Sequence, residues 1–119
     1  MLPTNFSDFY DKIPQARPAL ESLAAWRMAN PHVDYIDIRR IVSERPEVNA
    51  AQLAFALVVL EKHGLIKGKF GLIAPTNYAL ADRFFDSLEE IPTKALDTTD
   101  RVFPTDNAEV IPIYVGTDR

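Results

Sequence analysis

Few side chains in this chain could carry covalent chemistry. Among 119 residues there are two histidines, His32 and His63, and no cysteine. Only two imidazoles therefore titrate near neutrality, and no thiolate can act as nucleophile or metal ligand. His32 follows Asn30-Pro31 in a loop, and His63 sits in the last turn of a helix, where a cation meets the negative end of the helix dipole. Paired-histidine metal spacings, seryl nucleophile elbows and glycine-rich phosphate loops are absent from the sequence. The carboxylates Glu44, Glu47, Glu89 and Glu90 read as solvated faces. No catalytic residue, metal, cofactor or small-molecule substrate is expected.

The remaining chemistry is recognition, of nucleic acid or of protein. Gln52 could hold an adenine edge in a bidentate contact, and Arg39, Arg40, Lys62, Lys67 and Lys69 could reach phosphates. Charge argues the other way. The net charge is -4, and from Pro14 to Ile91 nine basic residues face ten acidic ones, where nucleic-acid binders carry a basic footprint.

The elements that position these groups are organised around Asn49 to Thr76. Asn49 is a good N-cap, and the run to His63 has no glycine or proline. Gly64 supplies a left-handed stop, with Leu65 and Ile66 folding back over the last turn. Leu53, Leu57 and Leu60, with Ala56 between turns, face inward, which leaves Ala51, Gln52, Phe55, Val58, Val59 and Lys62 toward solvent. Gly68-Lys69, flanked by Leu65-Ile66-Lys67 and Phe70-Gly71-Leu72-Ile73, reads as a two-residue hairpin loop.

Before this stretch, Pro14 and Pro18 open a helix that ends at Asn30-Pro31, with Leu20, Leu23 and Trp26 on its buried side. His32 to Ile36 is extended. Asp37 caps a second helix from Ile38 to about Arg45, with Asp34 as a competing cap. After it, Pro75-Thr76-Asn77 starts a fourth helix whose apolar stripe is Leu80, Phe84, Phe85, Leu88 and Ile91. Two segments flank the core. Phe6, Phe9, Tyr10 and Ile13 share one face of a short N-terminal arm, free to dock on its own domain or on a partner. Thr93 to Glu109 is a polar loop or a tail on the surface, and Val110 to Val115, with Pro112 inside it, is an edge strand or an extended segment laid on a partner.

Helix, short strand, helix, turn, helix, hairpin, helix resembles the winged helix superfamily over residues 15–91, on Leu57-Val-Val-Leu60-Glu-Lys-His-Gly64-Leu-Ile66 and Ala74-Pro-Thr76. The expected fold is α+β and mostly helical: an arm (1–14), a winged helix domain (15–91) and a tail with an edge strand (92–119). The resemblance implies either a protein-docking module or a DNA-binding regulator whose third helix enters the major groove. Docking surfaces are expected at Phe6, Phe9, Tyr10, Gln52, Phe55, Val59, Ile113 and Tyr114, for a protein partner or a second copy. The DNA alternative uses Arg39, Arg40, Gln52, Lys62, Lys67 and Lys69. No membrane-spanning run or leader is evident, so a cytoplasmic setting is expected.

Overall fold

A computed structural model describes residues 2–117. The fold is α+β, with three α-helices, α1 (Arg17–Ala29), α2 (Ile38–Glu44) and α3 (Ala50–Lys62), among the described residues. Five strands accompany them: β1 (Tyr35–Ile36), β2 (Ile66–Ile73), β3 (Lys94–Leu96), β4 (Val102–Pro104) and β5 (Glu109–Gly116). The chain divides into two compact units. One is built from the stretch up to Lys67 and the stretch from Tyr114 onward, and the other is Gly68–Ile113. Strands β2 and β5 each run from one unit into the other.

The first unit holds the three α-helices, whose ends follow the local sequence. Asp37 accepts from the Arg39 amide at 3.0 Å and Asn49 from the Gln52 amide at 3.0 Å, each satisfying a free N-terminal donor. Gly64 has φ 76°. The Leu65 amide donates to Leu60 O at 3.1 Å and the Gly64 amide to Glu61 O at 2.9 Å, the paired bonds of a Schellman stop. Gly64→Ala should therefore cost about 1–2 kcal/mol, the left-handed penalty of an L side chain, seen as a lower urea midpoint at unchanged slope.

Buried Leu20, Leu23, Trp26, Ile36, Ile41, Leu53, Leu57 and Leu60 form one core, and Phe6, Phe9 and Ile13 belong to it. The arm is thus part of its own unit's interior. It runs through 3-10 turns at Ser7–Phe9 and Pro14–Ala16 straight into α1. Arg27, not singled out in the sequence, is also buried; its guanidinium donates to Val33 O and spans the turn after α1.

The second unit departs most from expectation. Gly68-Lys69 is not a hairpin loop, because β2 is continuous through it. Among the described glycines only Gly64 has a positive φ, and a two-residue turn with glycine first needs one. The fourth helix is absent. Phe70 and Phe85 exchange both backbone bonds, at 2.8 and 2.9 Å, and the Ala81 amide donates to Leu72 O at 2.8 Å, so Leu80–Ala81 and Phe85 pair with β2 on either side of a bend at Asp82 and Arg83. Asn77, Tyr78, Asp82, Phe84, Phe85 and Asp86 are weak helix formers, and the pairing takes the amides a helix would need. Tyr78, at φ 57°, makes the tight turn between them.

The polar stretch after Thr93 forms the β3–β4 hairpin, with Ala95 opposite Phe103. Its residue Asp97 is buried as a polar hub. Leu72, Ala74, Ala81, Phe85 and Phe103 make this unit's own core. The expected edge strand is instead the middle one, in the order β1-β5-β2. Strand β1 pairs only with Tyr114 and Val115, so Pro112 lies outside the stretch flanked on both sides and its missing N–H breaks no bond there.

Candidate functional site

Helix α3 has two apolar faces. At about 100° per residue, Leu53, Ala56, Leu57 and Leu60 fall on one side, and all four are buried. Ala51, Phe55, Val58 and Lys62 fall diametrically opposite, within an arc of about 60°, and all four are exposed. Phe55 keeps 46% of its surface and Val58 43%. Val59 corrects the expectation of a solvent-facing side chain. It lies on the flank between the two faces and packs half-buried on its own core, and Val58 takes the outer position. Gln52 is half-buried at the margin.

The other expected docking residues do not join this face. Phe6, Phe9 and Ile113 are buried inside the fold. Phe9 meets the His63 ring edge-on at 5.3 Å. Tyr10 is half-buried with the Arg17 guanidinium over its ring at 4.9 Å. Tyr114 packs against the first unit's core; burial first, then the Glu61 charge, push its phenol pKa up.

The cations of the DNA alternative are mostly committed to carboxylates. Arg40 pairs with Glu44 at 2.8 Å and lies over Trp26, whose Nε1 donates to the same carboxylate at 3.3 Å. That pairing raises the Arg40 pKa and lowers that of Glu44. Arg39 lies 3.9 Å from Asp37, and Lys69, in the second unit, lies 3.5 Å from Asp86. Lys67 also has an interaction partner, and Lys62 stands at the end of the outer stripe of α3. Charge is unevenly shared. Nine basic and nine acidic residues balance in the first unit, while four basic and eight acidic ones give the second the whole net -4.

A cleft of about 520 Å³ in the first unit is lined by Leu2, Pro3, Thr4, His63, Gly64, Leu65 and Thr117. His63 is its one titratable side chain, and the Thr117 hydroxyl donates to Gly64 O at 2.8 Å. No nucleophile–base pair is assembled there. Among the described residues no three His, Cys, Asp or Glu side chains gather as a metal site, and no helix is long and apolar enough to cross a membrane. Comparison with protein-family models, with curated proteins and with solved structures finds no match to this chain.

Proposed function

We propose that the chain is a protein-docking module of winged helix type whose outer α3 face receives another polypeptide. The element run α1-β1-α2-α3-β2 and the sheet order β1-β5-β2 support the architectural part of this reading. The observation that carries the functional part is the exposed Ala51-Phe55-Val58 stripe opposite the buried one. A helix that is apolar on both sides is normally covered on both sides, and a contiguous exposed apolar patch marks a contact surface. A major-groove reader would carry hydrogen-bonding side chains at these positions. The segment between β2 and β5, where a wing would sit, carries the protein's excess of negative charge, which a phosphate backbone repels.

Phe55→Asp and Val58→Asp test the reading. Both positions are on the surface, so stability should stay within about 0.5 kcal/mol of the wild type. Polypeptides retained from native lysate by the immobilised wild type should be lost from both variants. In parallel, anisotropy against duplex DNA at physiological salt should show no tight binding. Sub-micromolar, sequence-selective DNA binding that survives these substitutions would overturn the proposal.

A further inference from the structure

We propose that the polypeptide received by α3 is the α3 of a second copy of this chain, packed antiparallel about a twofold axis. The inference rests on the docking reading above and specifies its partner. The outer residues Ala51, Phe55, Val58 and Lys62 step by four, three and four, the spacing of a seam that packs on one other helix. That spacing is symmetric about the point between Ala56 and Leu57. A twofold axis through it sets Phe55 against the partner's Val58 and Val58 against the partner's Phe55, as an isologous interface requires.

Side-chain volume selects the antiparallel sense. Each central layer then holds one phenylalanine and one valine, so the two layers are equally wide. Parallel pairing would stack a Phe–Phe layer beside a Val–Val layer and splay the helices or leave a void. At the ends, the Lys62 stem lies along the partner's Ala51, small enough to admit it, with the ammonium in water. Antiparallel alignment also opposes the helix dipoles. The unit that carries α3 is charge-balanced, so its copies do not repel through net charge. A 13-residue helix is about 20 Å long, so the contact falls at the small end of protein interfaces and the dimer is transient.

Sedimentation equilibrium on the full chain should show the mass rising from 13.4 kDa toward twice that value as concentration increases. Phe55→Asp should remain monomeric at every concentration. The double swap Phe55→Val/Val58→Phe keeps one phenylalanine and one valine in each layer, so it should dimerise like the wild type. The sequence has no cysteine, which makes cross-linking clean. Ala51→Cys mixed with Lys62→Cys should oxidise to a mixed dimer. Neither alone should cross-link, because like positions lie about 16 Å apart along an antiparallel pair, at 1.5 Å per residue, beyond disulfide reach. Cross-linking of the single variants with themselves, or a monomer at all concentrations, overturns the self-pairing. If the chain is monomeric yet Phe55→Asp still abolishes lysate capture, the self-pairing falls and the docking reading stands. If Phe55→Asp changes neither measurement, both fall.

Discussion

Replacing Phe6 by alanine is expected to cost about 3–5 kcal/mol, the range for emptying a fully buried phenylalanine site. Phe6 has no exposed surface and belongs to the same core as Phe9, Ile13, Trp26 and Leu57. The segment around it is fixed at both ends. Asn5 accepts from the Ser7 amide at 2.9 Å, and Phe9 O accepts from the Ile13 amide at 3.0 Å. Folded domains are stable by only about 5–15 kcal/mol, so this one substitution removes a large share. It should appear as a lower urea midpoint with an unchanged slope, while Phe55→Ala, on the outer face of α3, moves the midpoint by at most about 0.5 kcal/mol. Deleting residues 2–13 should abolish cooperative unfolding of the first unit. A Phe6→Ala midpoint equal to the wild type's would mean that the arm is a detachable docking segment, one of the two options its sequence left open.

The second large effect belongs to Asp97, which organises the second unit. Its Oδ1 accepts from the Thr99 amide at 2.8 Å, the Thr99 hydroxyl at 2.6 Å and the Arg101 amide at 3.0 Å, and its Oδ2 from Asn77 Nδ2 at 2.9 Å. The Thr99 hydroxyl first, then the Asn77 amide, hold its carboxyl well below the usual carboxylate range. Asp97→Ala leaves four donors without their acceptor. It should lower the unit's thermal midpoint more than removing a solvated carboxylate such as Glu89. Asp97→Asn should also destabilise, because an amide offers one acceptor oxygen and turns a donor toward donors.

The pH dependence follows from the depressed pKa. The unfolded chain's aspartate titrates near about 3.9, so the stabilisation is fully present above that and is lost as pH falls toward the folded value. Protection factors for amide exchange at Thr99, Arg101 and Ala81, taken against the intrinsic rate at each pH, should fall in the wild type below about pH 4. The Asp97→Asn variant should lack that component. An equal acid response in both would place the sensitivity elsewhere.

Features written in contiguous residues were legible in the sequence. Asp37, Asn49 and Gly64 set the ends of α2 and α3 because caps and left-handed stops act over three or four residues. The inner stripe Leu53-Ala56-Leu57-Leu60 could be read from its period, and so could the outward aim of Phe55. Tertiary structure decided whatever depended on a distant partner. Leu80, Phe84, Phe85, Leu88 and Ile91 have helical spacing, yet the Phe85 and Ala81 amides are taken by Phe70 and Leu72 of β2. Gly68 reads as a turn by itself and is strand because no positive φ is imposed there. Asp97 looks like one more solvated acid until Asn77, 20 residues away, brings it a donor. Phe6 and Phe55 are both large apolar residues on short amphipathic segments. Only the packed chain distinguishes them, because it closes over Phe6 and leaves Phe55 in water.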